Sequence, residues 1–217
     1  GKQCQLKSKL DALAAEVEQL THLVTKDTLT GLSNYRHFTN VVSQEIERSS
    51  RTGHPMTLII IDVDHFKKVN DNWGHEVGNH ALKLISSCIV QSIRRLDIAC
   101  RYGGEEFVVI FPCTDTTTSI KAAQRIRAAI ESTPLIIQFD NLAKPIKHTL
   151  TVSIGVGSFP AKIENDDWHK LVKRADNKLY EAKFNGRNRV CYDKIGTESR
   201  QVSEDEKSAL FDVFNGE

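Results

Sequence analysis

Long hydrophobic runs are scarce in this sequence. The longest apolar stretch, Thr57–Ile61, is far shorter than the roughly 20 residues that a transmembrane helix requires. The amino terminus also lacks the charged and apolar regions of a signal peptide. We therefore expect no membrane segment in this chain and a cytoplasmic location.

An excess of charge of either sign is also missing. The chain has 29 Lys and Arg residues against 28 Asp and Glu residues, which gives a formal net charge of +1 at pH 7. This balance argues against a protein that holds nucleic acid by bulk electrostatic attraction. Any phosphate group must therefore be bound at a local site.

Paired cysteines are absent as well. The five cysteines are scattered along the chain without the C-x-x-C spacing that a zinc site or a redox dithiol requires. Their odd number and wide spacing are typical of a protein from a reducing cytosol.

What the sequence does contain is an ordinary globular composition, 40% hydrophobic and 26% charged. Its 217 residues suffice for one domain of about 150 to 180 residues with appendages. We predict three parts: a stalk helix at 1–26, a globular domain at 27–193 and a tail of unknown role at 194–217.

Apolar residues in the predicted stalk are spaced alternately four and three residues apart, as are the a and d positions of a coiled coil. They are Leu6, Leu10, Leu13, Val17, Leu20 and Val24. Two structures fit this pattern: a parallel dimeric coiled coil, which we favour, and a single amphipathic helix folded against its own domain. Because the chain begins at Gly1 within this helix, we expect a further segment upstream.

Hydrophobic periodicity predicts alternating helices and strands in the globular part. The predicted helices are Tyr35–Arg51, His75–Arg95, Thr117–Glu131 and Asp167–Phe184, and the predicted strands are Leu58–Ile61, Ile98–Tyr102, Phe107–Phe111, Leu150–Val156 and Arg189–Tyr192. Gly103 and Gly104 predict a hairpin whose turn has positive φ angles. The core order βαββαβ predicts an α+β fold, a ferredoxin-like antiparallel sheet with helices on one face.

Acidic residues lie at the ends of the predicted central strands. Asp62 and Asp64 follow the first strand, and Glu105 and Glu106 occupy the tip of the hairpin. If the hairpin pairs beside the first strand, these carboxylates meet at one edge of the sheet. Such clusters suit Mg²⁺, and two ions would activate an attacking hydroxyl and stabilise a pyrophosphate leaving group. Each acid taken alone is better explained as a solvated strand end.

Five motifs occur in order along the domain. They are DTLTGLSN at 27–34, DVDHFKKVND at 62–71 with the glycines and histidine at 74, 75 and 78, RYGGEEF at 101–107, TVSIGV at 151–156, and the A-D, L-Y, A-K and G-R-N elements between 175 and 188. Together they resemble the GGDEF family of diguanylate cyclases, in its GGEEF form, over about residues 27–192. The resemblance implies a nucleotide-cyclase or polymerase-palm-like fold. It also implies condensation of two GTP molecules into cyclic di-GMP with release of two pyrophosphates.

The resemblance further implies which residues act. Asp62, the backbone carbonyl of Val63 and Glu105 would hold Mg²⁺, with two ions per active site and Mn²⁺ as the alternative. Glu106 would share the second ion, and Glu105 is the candidate base for the attacking 3′-hydroxyl. The implied substrate-binding residues are His65, Phe66, Lys67, Asn70, His75, Asn79, Gly103, Gly104, Lys183 and Arg187. Of these, the two lysines and the arginine would clamp the triphosphate.

One position departs from the family pattern. Asn70 would read the guanine edge, but the partner acid that normally follows Gly78 is replaced by Asn79. An amide oxygen accepts one hydrogen bond from guanine, whereas a carboxylate accepts a charge-assisted pair. We expect guanine affinity, or selectivity over adenine, to fall by about 1 to 2 kcal/mol.

A second site is implied upstream of the hairpin. Arg94 and Asp97 fit the RxxD pattern of the family's inhibitory site, at the family's distance before Gly103, and Arg125 resembles its secondary arginine. This placement favours inhibition by the product, cyclic di-GMP. A short charge pattern of this kind also occurs at solvated helix ends.

The implied reaction needs two domains. Each site binds one GTP, so a homodimer held by the stalk would bring the two nucleotides together. A regulatory protein bound to the stalk is a further expected partner. Two alternatives stay open: a degenerate module that binds cyclic di-GMP or GTP without catalysis, and a cyclase with relaxed purine specificity owing to Asn79.

Overall fold

The computed structural model describes Lys7, Lys9 and residues 24–139, 144–159 and 167–193. The predicted stalk positions from Leu6 to Leu20 and the whole tail at 194–217 lie outside the described residues. Val24 is the one heptad position inside them, and it is exposed.

A central sheet of five strands forms the framework. In sheet order the strands are β2 (Ile98–Gly103), β3 (Glu106–Phe111), β1 (Met56–Val63), β6 (Val152–Phe159) and β7 (Val190–Cys191). All neighbours are antiparallel except β6 and β7, which are parallel. The strands of the predicted βαββαβ core are thus adjacent, in the ferredoxin-like order.

Four helices whose bounds fall within the described residues accompany the sheet. They are α1 (Tyr35–Thr52), α2 (Phe66–Ser92), α3 (Thr116–Ser132) and α4 (Trp168–Phe184). The side chains of Asn34, Asp115 and Asp167 cap α1, α3 and α4 by accepting a hydrogen bond from a first-turn N–H. A polar residue before each apolar run therefore fixes where these helices begin.

The helices lie on both faces of the sheet. Ile59, Ile61 and Val63 of β1 pack in one cluster with α2 and α3, while Leu58 and Ile60 pack in another with α1 and α4. The prediction of helices on one face is confirmed for α2 and α3 of the βαββαβ core and wrong for α1 and α4. The reason is that all eight residues of β1 are buried, and a strand buried on both sides needs a cover on each.

Two further predictions need correction, and one small sheet was missed. Helix α2 begins at Phe66 rather than His75. The prediction missed the first two turns because Gly74, with φ 83° and ψ 166°, interrupts the helical periodicity. A two-stranded sheet of β4 (Leu135–Ile137) and β5 (Ile146–His148) was not predicted. Neither Gly103 nor Gly104 has the predicted positive φ. The turn residues are Gly104 and Glu105, and a bulge between Arg101 and Gly103 provides the bend of the hairpin.

Helix α4 lies in direct contact with strand β6. A Cβ atom added to Gly155 would stand 2.0 Å from the carbonyl oxygen of Ala175 and 2.3 Å from the amide nitrogen of Leu179. No side chain fits between the two backbones at this point. Glycine at 155 therefore sets how closely α4 approaches the sheet.

Candidate active site

Pairing of β1 with β3 brings acids from two separate motifs together. Asp62 on β1 is the register partner of Glu106 on β3, and the amide of Val63 donates to the carbonyl of Glu105 at 3.4 Å. Asp62 is 7% exposed, whereas both glutamates are half-buried. The expected convergence of Asp62, Glu105 and Glu106 is therefore present.

A lysine from the last helix completes this group. The Nζ atom of Lys183, near the end of α4, lies 2.8 Å from Oδ2 of Asp62. Helix α4 packs against β6, which neighbours β1, and so places this ammonium group at the edge of the sheet that carries Asp62, Glu105 and Glu106. We call this edge the acid edge. The contact joins the second motif of the chain to the last.

Burial and crowding shift the acidity of all three carboxyls. Burial raises the pKa of Asp62, and the charges of Lys183 and Arg187 offset part of that rise. Burial and the Asp62 charge raise the pKa of Glu105 and of Glu106, again against Lys183. The three carboxylates thus carry more negative charge than Lys183 neutralises. Such an excess favours binding of a cation, alone or together with a phosphate group.

The residues fit a divalent ion that binds together with a nucleotide. Within the described residues, no three His, Cys, Asp or Glu side chains are grouped closely enough to form a metal cage. Mg²⁺ usually takes only one or two protein carboxylates and completes its shell with phosphate oxygens and water. Asp62, Glu105 and the carbonyl of Val63 are such a partial donor set, with Glu106 beside it.

The hairpin tip is anchored by an arginine that was not among the predicted site residues. Arg101 donates to the carbonyl of Gly104 at 2.7 and 3.0 Å and reaches both carboxylate oxygens of Asp27 at 3.2 and 3.3 Å. Burial would raise the pKa of Asp27, but hydrogen bonds from Thr30 and Arg101 outweigh it and lower that pKa. Both residues belong to the five ordered motifs, which was the available signal.

Asp64 takes a different part from the one predicted. Its carboxylate accepts hydrogen bonds from the hydroxyls of Ser153 (2.6 Å) and Thr151 (2.8 Å) and from the amide of Asn188 (3.0 Å). Both oxygens of Asp64 therefore accept hydrogen bonds from protein donors, which sets it apart from the other acids of the predicted cluster.

The predicted substrate segment forms the start of α2 and the loop before it. Phe66 is buried and Asn70 half-buried, and a Cβ atom on Gly78 would stand 1.9 Å from Oδ1 of Asn70. Gly78 therefore leaves the space in which this amide lies. The remaining predicted members of the segment are solvent-exposed: His65, which has φ 57°, and Lys67, His75 and Asn79.

The predicted inhibitory residues lie together at the other end of the hairpin. Asp97 accepts from the amide of Arg94 at 2.8 Å, and Nε of Arg125 donates to the carbonyl of Ser92 at 2.9 Å. Both residues of the RxxD pair line a cavity of about 570 Å³ and, with Arg125, a second of about 170 Å³. Burial raises the pKa of Asp97.

No helix in the described ranges is both long enough and apolar enough to cross a bilayer.

Comparison with known sequences identifies the family to which the chain is similar. The family model for the diguanylate cyclase GGDEF domain matches residues 24–189. Response regulator PleD of Caulobacter vibrioides is 36% identical over 188 residues, which cover 87% of this chain and 40% of PleD. Diguanylate cyclase DosC of Escherichia coli is 37% identical over 186 residues, which cover 86% of this chain and 38% of DosC. The chain thus spans about two fifths of the length of these relatives.

Solved structures show the same fold. The coiled coil and GGDEF domain of DgcB from Caulobacter crescentus, in complex with c-di-GMP, matches with a TM-score of 0.78 and 28% identity over 88% of this chain and 97% of that one. Diguanylate cyclase SiaD from Pseudomonas aeruginosa, in complex with its activator SiaC, matches with a TM-score of 0.71 and 29% identity over 88% of this chain and 73% of that one.

Proposed function

Because the chain belongs to the GGDEF domain family of diguanylate cyclases, we propose that it condenses two GTP molecules into cyclic di-GMP and releases two pyrophosphates. The observation that carries this proposal is the meeting of Asp62, Glu106 and Lys183, which come from three separate motifs, with the Lys183 ammonium 2.8 Å from Asp62. The similar protein DosC is a diguanylate cyclase, which supports the same reaction.

The acid edge provides the chemistry of 3′-hydroxyl attack on an α-phosphate. Glu105 takes the proton from the hydroxyl, since it lies at the same edge of the sheet as Asp62, where the reacting oxygen would bind. Lys183 and Arg187 bind the triphosphate and balance its charge as pyrophosphate leaves. The new bond joins the 3′-oxygen to the α-phosphorus, and the bond to the bridging oxygen of pyrophosphate breaks.

Proteins of this family generally use divalent metal ions, and we propose Mg²⁺, two per active site, with Mn²⁺ as the alternative. Asp62, Glu105 and the carbonyl of Val63 would hold the ions, and Glu106 would share one. Bound there, the metal supplies Lewis-acid activation of the hydroxyl and stabilisation of the leaving group.

Residues of α2 recognise the guanine of GTP. Asn70, held over Gly78, hydrogen-bonds the guanine edge, with Asn79 next to that glycine. Phe66 and the exposed His65, Lys67 and His75 border the same substrate segment. Gly103 and Gly104 leave room for phosphate, since a Cβ atom on Gly104 would have no atom within 4 Å.

The active form is a homodimer, because one site binds one GTP and the product joins two. The stalk at 1–26 would hold the domains side by side, and a protein partner on it would regulate them, in line with the activator SiaC bound to SiaD. Product would inhibit through Arg94, Asp97 and Arg125, in line with the c-di-GMP bound to DgcB. Because its substrate is GTP, we expect the domain in the cytoplasm.

The deciding experiment incubates the purified full chain with Mg²⁺ and GTP, ATP or both and separates the products by chromatography. We expect cyclic di-GMP from GTP alone. A mixed or adenine-containing dinucleotide would establish the relaxed-specificity alternative that Asn79 suggests. Binding of GTP or cyclic di-GMP without turnover would establish the non-catalytic one.

Lys183→Met provides a matched test of the site itself. Loss of an ion pair to phosphate and to Asp62 should lower kcat/KM by about a hundredfold. Lys178→Met is the control, because Lys178 lies on the same helix and also pairs with acids, Glu181 and Asp193, away from the acid edge. Equal activity of the two variants would contradict the proposed site.

A further inference from the structure

The turn after α4 has an unusual backbone. Arg187 and Asn188 have φ angles of 63° and 45°, in the left-handed region that residues other than glycine seldom adopt. Two such residues in succession persist only where the surrounding structure holds them. Arg187 is one of them, so whatever holds the turn also directs this guanidinium.

Hydrogen bonds hold the turn at three consecutive residues. The amide of Arg187 donates to the carbonyl of Ala182 at 3.0 Å, and the carbonyl of Arg189 accepts from the amide of Ile154 at 2.8 Å. Between them, the amide of Asn188 donates to Oδ2 of Asp64 at 3.0 Å. This middle contact is made by a side chain, and it comes from a residue 124 positions earlier in the chain.

The Asp64 carboxylate is itself firmly fixed. It is 6% exposed, and its two oxygens accept from Ser153 and Thr151 at the start of β6. Its own amide donates to the carbonyl of Thr151 at 2.9 Å. A buried carboxylate with three donors is rigid, so it is suited to hold a backbone rather than to exchange ligands during a reaction.

The side chain of Asn188 ties the same turn to α3. Its Oδ1 atom accepts from Arg127 at 2.9 Å, and its Nδ2 atom donates to Glu131 at 2.7 Å. Asn188 thus links Asp64, which directly follows β1, to α3 beside Arg187. The positive charge of Arg187 reaches the acid edge, where it lowers the pKa of Asp62 against the effect of burial.

We propose that Asp64 is a positioning residue, which holds the Asn188 amide and thereby fixes the left-handed turn that presents Arg187 to the triphosphate. This inference rests on the proposed function, since it assigns Arg187 to phosphate. Asp64 contacts neither metal nor substrate in this assignment. Its effect on catalysis passes through Arg187.

The test uses the full chain and compares Asp64→Ala with Ser153→Ala. Both remove a buried hydrogen bond, but only the first releases the Asn188 amide. We expect Asp64→Ala to raise KM for GTP by about tenfold, with a smaller change in kcat, because a poorly aligned arginine loses its charge-assisted hydrogen bonds to phosphate. For Ser153→Ala we expect a change of KM below about threefold.

A double-mutant cycle with Arg187→Ala isolates the route of the effect. If Asp64 acts through Arg187, the double variant should be no worse than Arg187→Ala alone. Asp64→Asn should restore most of the KM, because its amide oxygen accepts from Asn188 while its nitrogen donates to Ser153. If Asp64→Ala does not fold, Asp64→Ser serves in the comparison, since its hydroxyl is too short to reach Asn188.

Hydrogen exchange at the Asn188 amide gives a readout without nucleotide. We expect faster exchange in Asp64→Ala and unchanged exchange in Ser153→Ala. Unchanged exchange, or additive effects of Asp64→Ala and Arg187→Ala on KM, would overturn the positioning role. An unsubstituted chain that neither binds nor converts GTP would overturn the proposed function instead, and the exchange experiment would still report on the turn.

Discussion

At the scale of single residues, the acid edge combines groups that the sequence predicts with groups that it hides. Asp62, Glu105 and Lys183 follow from motifs and spacing. Asp64 does not, because a carboxylate two residues from Asp62 reads as a second metal-site acid until its three donors are seen. Those donors lie at 151, 153 and 188, so only the folded chain discloses its role.

Burial and the crowding of carboxylates at this edge make the stability of the fold depend on pH. The pKa of Glu106 is raised above its ordinary value of 4.5, so the folded protein binds its proton more tightly than the unfolded chain does. Stability from this group is therefore highest at acid pH and falls as pH rises through and above 4.5. Glu106→Gln should raise Tm at pH 7.5, and the difference should vanish below pH 4.5, as differential scanning fluorimetry would show.

Glu131→Gln is the control of opposite sign. Hydrogen bonds from Arg127 and Asn188 lower the pKa of Glu131, so its neutralisation should not raise Tm at pH 7.5. Added Mg²⁺ should raise the Tm of the unsubstituted protein more than that of Glu106→Gln, because the ion binds the folded state. A Tm of Glu106→Gln below that of the unsubstituted chain at pH 7.5 would contradict the destabilisation of the charged Glu106 by burial and by the charge of Asp62.

Asn79 offers a test of guanine recognition. Asn79→Asp should lower KM for GTP by about fivefold to thirtyfold, because a carboxylate accepts a charge-assisted pair of hydrogen bonds from guanine. Steady-state kinetics with GTP and ATP would measure the change, which should be confined to GTP. Asn72→Asp makes the same change at another exposed position of α2 and should bring no gain. An equal gain from both variants would show that Asn79 does not face the base.

At the scale of elements, the sequence is most informative where a signal is local. The ends of α1, α3 and α4 follow from caps and apolar spacing, and the predicted bounds differ by few residues. The break in α2 and the pairing of β4 with β5 escaped prediction. The first depends on one backbone angle, and the second pairs two strands of three residues each, too short for a periodic pattern.

The break in α2 provides a prediction of its own. Gly74 has φ 83° and ψ 166°, a region that is essentially restricted to glycine, so Gly74→Ala should cost about 1 to 3 kcal/mol. Thermal unfolding should show a Tm several degrees lower. Gly104→Ala is the control, because that residue has no positive φ and has open space at the Cβ position. An unchanged Tm in Gly74→Ala would mean that the helix can run on without its break.

At the scale of the whole molecule, the proposed reaction requires two copies of the domain, because each site would bind one GTP. Leu13→Pro should abolish cyclic di-GMP synthesis while leaving the domain folded and able to bind GTP, because proline would break the predicted stalk helix whose apolar seam would join the copies. Analytical ultracentrifugation and product chromatography would measure the two effects. Replacing residues 1–23 by an unrelated dimeric coiled coil should restore activity to the degree that its geometry matches. Unchanged turnover in Leu13→Pro would refute the stalk's role.

The contact at Gly155 links the distance between α4 and β6 to the position of Lys183 at the acid edge. Helix α4 rests backbone to backbone on β6 there, and the same helix carries Lys183 eight residues beyond Ala175. A single methyl group at position 155 would act as a wedge, and the helix would have to lift or tilt as a unit. A substitution at Gly155, which is assigned no contact with metal or substrate, would thus withdraw the ammonium from Asp62, so activity could be lost without altering any group that meets the substrate.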